Sequence, residues 1–267
     1  MDQKNRVTYL IKYLESEMPE YGRYGVPEDE QEAFNLFRAL CNVRMPGSVS
    51  EEFLKVQDEY LRKITEKKGI TDIEDMSPVP SDSRIYLWQG DITALRCDAI
   101  VNAANSQMLG CFQPLHNCID NAENTYAGVQ LRNYMGERMS EMKQKYGADY
   151  QQPTAVPMIS PAYNLPADKI LHVVGPIVSP FLMQKHRDQL AQCYRSCLDL
   201  AAENGCENIA FCCISTGVFM FPADKAAEIA AATVKKWLDE YHDSCMKKVI
   251  FNVFKDRDLQ IYQELLD

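Results

Sequence analysis

From residue 84 onward, short β-branched and aromatic runs alternate with helix-length amphipathic stretches. No other feature of the chain restricts its fold as much. RIYLWQGDIT, CDAIVNAAN, KILHVVGPIV, ENIAFCCIST and MKKVIFNVF have strand length. CIDNAENTYAGVQLRNYMGERMSEMKQKYG, MQKHRDQLAQCYRSCLDLAAENG, ADKAAEIAAATVKKWLDEYHD and DRDLQIYQELL lie between or after them and read as helices. Strands alternating with long helices imply an α/β fold, with helices covering a mixed, mostly parallel sheet. Ligands of such sheets sit outside the carboxyl ends of the strands. The loops after DAIVNAAN and IAFCCIST are therefore the first places to look.

Ahead of this region, VTYLIKYLESEM, EDEQEAFNLFRALCNV and SEEFLKVQDEYLRKITEKKG carry apolar residues at three- and four-residue spacings. Ser50, followed by Glu51 and Glu52, gives the third of these a capped start. MSPVPSDS, residues 76–83, is rich in Pro and Ser and reads as a connector. The expected organisation is a helical N-terminal extension over 1–76 and an α/β domain over 84–267.

The net charge of −10 argues against a broad nucleic-acid or anionic-membrane surface, since either needs a basic face. A small phosphorylated ligand stays compatible, because a few backbone amides can hold a phosphate. MDQKNRVTYLIKYL lacks the uninterrupted apolar core of a signal peptide. No apolar run reaches the ~18 residues of a membrane span. The ten cysteines are then expected to be reduced thiols in a cytoplasmic protein, some buried and some ligating metal.

Cys111, His116, Cys118 and Asp120 fall together in GCFQPLHNCID, residues 110–120. Thiolate and imidazole are zinc's preferred ligands, and catalytic zinc usually takes three of them and keeps one position open. Two buried thiols beside a hydrogen-bonded histidine would read the same way from spacing alone. His172, Cys212 or Cys213 could add a fourth ligand, although strand positions favour the core for all three. In FCCISTGVFMFPADKAAEIA a strand leads through a small polar loop to a helix, and Ser215, Thr216 and Gly217 offer amides to an anion. The stretch has neither a Walker loop nor G-x-G-x-x-G, and an ordinary strand-to-helix turn is the alternative. Asp91 in QGDIT can accept from an exocyclic amine or cap a turn. Asn102 and Asn105 in VNAAN can hold sugar hydroxyls or satisfy loop backbone.

GDIT, DAIVNAAN, NTYAG, YNLP, ILHVVGP, CISTGVFMFP and FKDRDLQIY follow one another in the order seen in macrodomains, so residues 84 to 266 resemble that ADP-ribose-binding family. GCFQPLHNCID stands where ordinary catalytic members carry a glycine-rich loop. Together with the helical extension, this resembles the zinc-containing class that removes ADP-ribose from proteins. The resemblance implies a macrodomain-type three-layer α/β/α architecture, with Cys111, His116 and Cys118 holding Zn2+ beside the distal ribose. Asp91 and Ile92 would meet adenine, Asn105 the distal ribose, and Ser215, Thr216, Gly217, Val218 and Phe219 the diphosphate. Phe254 is the candidate adenine-stacking ring, and Asn105 and Asp120 the candidate catalytic residues.

Two positions depart from the family pattern. Ala122, Glu123 and Asn124 replace the common Ala-Ile-His, and Met220 stands where a second glycine is common. The implied reaction is hydrolysis of mono-ADP-ribose from protein side chains, with an ester to an acidic residue the favoured linkage. A non-catalytic ADP-ribose reader and a phosphatase of a phosphorylated ADP-ribose metabolite are the alternatives. The class also implies a sirtuin-type ADP-ribosyltransferase and a lipoyl-carrier protein as partners, while the charge and hydropathy above point to neither nucleic acid nor membrane.

Overall fold

The computed structural model describes residues 1–22 and 25–267. Three helices come first: α1 (Gln3–Glu17), α2 (Glu30–Val43) and α3 (Glu51–Lys68). Each begins at a side chain that accepts from a free N–H of the first turn: Asp2 from Asn5, Asp29 from Gln31 and Glu32, and Ser50 from Phe53. Their apolar faces close on one another around Leu10, Phe37, Phe53 and Leu61, a core of their own that also takes in Val129.

The chain continues through β1 (Thr71–Asp72), β2 (Pro78–Val79), β3 (Asp82–Gln89), β4 (Leu95–Arg96) and β5 (Ala99–Ala104). Then come α4 (Ile119–Ala127), α5 (Val129–Tyr146), β6 (Met158–Pro161), β7 (Lys169–Val174) and α6 (Gln184–Glu203). It ends with β8 (Asn208–Phe211), α7 (Ala223–Glu240), β9 (Lys248–Val253) and α8 (Asp256–Leu266). A seven-stranded sheet runs β2-β3-β9-β8-β5-β7-β6. The strands from β3 to β7 pair in parallel, and the edge strands β2 and β6 are antiparallel. β1 and β4 form a separate parallel pair. This is the expected three-layer α/β/α with a mixed, mostly parallel sheet.

Alternation along the strands sorts the core into two faces. Ala99 and Val101 of β5 point to the layer of α6, α7 and α8. Ile100 and Ala104 point to the layer that includes Leu131, Met135 and Met139 of α5. Asn102 shares the second face, which sets it beneath α4. The stretch 76–83 is not a plain connector, because Pro78 and Val79 pair with β3 as an edge strand. An edge tolerates proline, whose missing N–H would otherwise break a ladder. Among the described residues no helix is long and apolar enough to cross a membrane.

Candidate active site

β5 delivers Asn105 to the carboxyl end of the sheet, and α4 returns from the following loop. Asn105 holds that loop closed. Its Oδ1 accepts from Gln107 N at 2.9 Å, and its Nδ2 donates to Gly110 O at 3.1 Å and to Asp120 Oδ2 at 3.3 Å. Asp120 sits in the first turn of α4, where the helix dipole favours a carboxylate. Its Oδ1 accepts from Asn102 at 2.7 Å and from Asn124 at 3.2 Å. Three amide side chains thus fix one buried carboxyl. Burial pushes Asp120 up to about 6, against the donated bonds of Asn102 and Asn105 and the nearby Arg132 charge.

A polar row extends this grip under the sheet surface. Asn102 and His172 are register partners on β5 and β7, with Asn102 Nδ2 3.1 Å from His172 Nδ1. The amide can only donate there, so Nδ1 accepts and Nε2 carries the proton toward Ser160 Oγ at 2.9 Å. Burial lowers His172 to about 3, so the ring is neutral. Asn102 is fully buried and holds Asp120, so it does not reach a sugar hydroxyl as the sequence allowed.

Cys111, His116 and Cys118 present their ligand atoms within 4.8 Å of one another, and Cys111 Sγ lies 3.5 Å from His116 Nδ1. Tetrahedral zinc with bonds of about 2.0–2.3 Å holds its ligands roughly 3.5–4 Å apart, so this donor set fits the ion. Burial pushes the Cys118 thiol up to about 12, so with no cation beside it the group stays a neutral thiol. His172, Cys212 and Cys213 lie outside this group. Gly110, just before Cys111, has a φ of 79° and abuts the Asn124 amide, leaving no space for a Cβ.

The other expected ligand residues line the same end of the sheet. Asp91 follows β3, and its Oδ1 accepts from Thr93 N at 3.0 Å and Thr93 Oγ1 at 2.6 Å. Lys68 Nζ lies 2.6 Å from Asp91 Oδ2. Burial works against ionisation of Asp91, but Lys68 and Thr93 outweigh it and hold the carboxyl below its usual range. Ile92 is buried beside it. Ser215 is buried with a φ of 66°, and its Oγ packs so closely on Gly175 that only glycine fits there. The loop closes through Met220 N to Gly217 O at 3.0 Å and Phe221 N to Ser215 O at 3.0 Å. The amides of Gly217, Val218 and Phe219 donate to no backbone carbonyl among the described residues, as an anion-binding turn ahead of α7 requires. Val218, Met220 and Phe254 are about 70% exposed at the rim.

Lys68 and Asn121 were not anticipated from the sequence. Lys68 comes from the end of α3, and nothing local ties it to Asp91. Asn121 adjoins Asp120, and its backbone N–H donates to Cys118 Sγ at 3.4 Å.

The model of the Macro domain family matches residues 101–230. A Treponema medium protein-ADP-ribose hydrolase is 50% identical over 268 residues, covering 100% of both chains. A Staphylococcus aureus protein-ADP-ribose hydrolase is 44% identical over 265 residues, covering 99% of this chain and 96% of its own. The crystal structure of a Trypanosoma brucei macrodomain in complex with ADP-ribose superposes with a TM-score of 0.64 at 28% identity, covering 86% of this chain and 95% of that one. The fold is that of a macro domain. The chain belongs to the protein-ADP-ribose hydrolase family of macro domain proteins.

Proposed function

We propose that this protein is a hydrolase that releases mono-ADP-ribose from modified protein side chains, and that it acts on the ester to an acidic residue with zinc held by Cys111, His116 and Cys118. The observation that carries the reading is the meeting of three metal-ligating atoms and a buried, amide-held Asp120 at the start of α4. The hydrolase relatives and the ADP-ribose complex of a similar fold support it.

Bound zinc would supply a Lewis acid at a ribose or acyl oxygen. The protein's own groups do the rest. Asp91 accepts the adenine amine beside Ile92, and Phe254 offers a ring to the base. The turn from Ser215 to Phe219 takes the diphosphate on its amides. Asn105 aligns the distal ribose over the metal loop, so that reacting atoms stay in register. Asp120, its carboxyl held by three amide side chains, orients water and accepts its proton. One water enters, and a free side-chain carboxyl and ADP-ribose leave. The family resemblance also implies a sirtuin-type ADP-ribosyltransferase that attaches the group and a lipoyl-carrier protein that bears it.

The test is a time course of ADP-ribose release from a protein modified on acidic residues, with wild type beside Cys118→Ala and zinc measured in both. Wild type should release ADP-ribose. The variant should lose zinc and fall by about 100-fold or more, since Lewis-acid stabilisation is worth several kcal/mol. Full turnover by zinc-free Cys118→Ala would refute the metal's role. Binding of ADP-ribose with no release by wild type would make the protein a reader, and Asn124 and Met220 would be the residues to examine.

A further inference from the structure

The loop that carries the three metal-ligating residues is shaped from outside by side chains distant in sequence. Arg38 of α2 donates through Nη2 to His116 O at 2.9 Å. The same guanidinium grips Asn121 Oδ1 with Nη2 at 2.6 Å and Nε at 2.9 Å. Asn121 relays that hold: its backbone N–H donates to Cys118 Sγ at 3.4 Å and its amide to Gln113 O at 3.0 Å. Asn42, one turn further along α2, accepts from Leu115 N at 3.0 Å. Leu115 has a φ of 56°, a left-handed backbone that a loop without this brace would leave for an ordinary one. Arg132 of α5 then donates to Leu109 O at 2.7 Å and Cys111 O at 3.3 Å, and also to the carbonyls of Cys41, Asn42 and Arg44. The end of α2 and the start of the metal loop are thereby bound to one guanidinium.

We infer that α2 is the outer shell of the metal site, with Arg38 and Asn42 acting as positioning residues that set His116 and Cys118 for the ion. Neither residue is a ligand. Their work is to hold the peptide groups on both sides of the Leu115–His116 pair, so that the imidazole and the thiol meet one point. Outer partners of this kind orient metal ligands, and losing one typically weakens binding about 10- to 100-fold. The helical N-terminal region is then a working part of the site. The inference rests on the zinc reading above.

The test is competition for zinc against a chromophoric chelator, with wild type, Arg38→Gln, Asn42→Ala and Arg6→Ala as metal-free proteins. Arg6 pairs with Glu59 between α1 and α3 at 2.6 Å and does not touch the loop, so it reports general loosening of the helices. Circular dichroism checks folding, and cobalt(II) absorption reports the geometry of the bound site. Arg38→Gln and Asn42→Ala should each bind zinc about 10- to 100-fold more weakly, with weakened or shifted cobalt bands. Arg6→Ala should match wild type. Zinc binding within about twofold of wild type in a folded Arg38→Gln or Asn42→Ala overturns the inference, as does an equal loss in Arg6→Ala. If Arg38→Gln does not fold, Asn42→Ala decides alone. Wild type that captures no zinc defeats the zinc reading itself, which separates that failure from failure of the role assigned to α2.

Discussion

Glu123 is fully buried on α4, and neither of its carboxyl oxygens has a hydrogen-bond partner among the described residues. Burial, with Asp120 and Asp91 nearby, raises it well above the ordinary 4.5, so it is held as the neutral acid. The unfolded chain releases that proton near 4.5 while the folded chain keeps it. The Glu123 contribution to stability is therefore full below that pH and declines as pH rises through the folded value, by up to about 1.4 kcal/mol per pH unit. Glu123→Ile restores the residue common in macrodomains and removes the buried acid. It should raise stability at pH 7 by about 1–3 kcal/mol and flatten the fall that sets in as pH rises past 4.5, measured by urea unfolding at a series of pH values. An unchanged pH slope would show that Glu123 is solvated. The neighbouring substitution has a different outcome. Asn124 donates to Asp120 O at 2.8 Å and to Oδ1 at 3.2 Å, so it supports the carboxyl where a histidine is common. Sequence alone marked both positions as departures. It could not divide them into a core acid and a support for Asp120, because that depends on which side of α4 each one faces.

Helix ends join the N-terminal region to the carboxyl end of the sheet. α3 closes with Lys67 and Lys68 in its last turn, where cations meet the carbonyl end of the helix dipole. Lys68 is also 3.5 Å from the centre of the Tyr126 ring and 2.9 Å from Thr93 Oγ1, which aims its ammonium at Asp91. Thr93 occupies Asp91 Oδ1 and Lys68 part of Oδ2, leaving acceptor capacity on Oδ2 for the adenine amine of the proposed function. Lys68 thus orients this oxygen without blocking it. Lys68→Ala should weaken ADP-ribose binding by about 3- to 10-fold, in line with one lost charge-assisted hydrogen bond of partly exposed groups. Isothermal calorimetry would measure it, and tighter binding by the variant would mean that Lys68 competes with the base. The local patterns that made α1, α2, α3 and the inner strands readable are short-range ones, set by apolar spacing and caps such as Ser50. Arg38 and Asn121 stand 83 residues apart, and no periodicity links them. β2 was hidden for a different reason, since Pro78 reads as a breaker everywhere except at a sheet edge.

At the scale of the molecule, the question is whether the helical region and the α/β region unfold separately. Each has its own core, which by itself would allow two units. The connections between them are polar, partly buried and spread along the whole boundary. Gln57 accepts from Val129 N at 3.0 Å, and its amide donates to Gln130 at 2.6 Å. Asp58 accepts from Asn164 at 2.7 Å and Gln130 at 2.8 Å, and Arg62 donates to Asn164 at 3.2 Å. Arg132 adds its donations to the carbonyls that end α2. Val129, at the start of α5, packs into the helical core itself. Unfolding the helices alone would exchange these bonds for water, at about 0.5–1.5 kcal/mol each, and would expose Val129 and the apolar surface packed with it. That sum exceeds what a three-helix unit of this length could hold in reserve. A single cooperative transition is therefore expected, with a calorimetric enthalpy of roughly 190 kcal/mol near 60 °C that matches the van't Hoff value. Independent units would instead give two transitions of roughly 50 and 140 kcal/mol. Adding zinc should raise the midpoint of the whole transition, because the ligands lie in the α/β region while Arg38 and Asn42 come from the helices. A metal effect confined to a later, larger transition would show that α2 is only packed beside the loop.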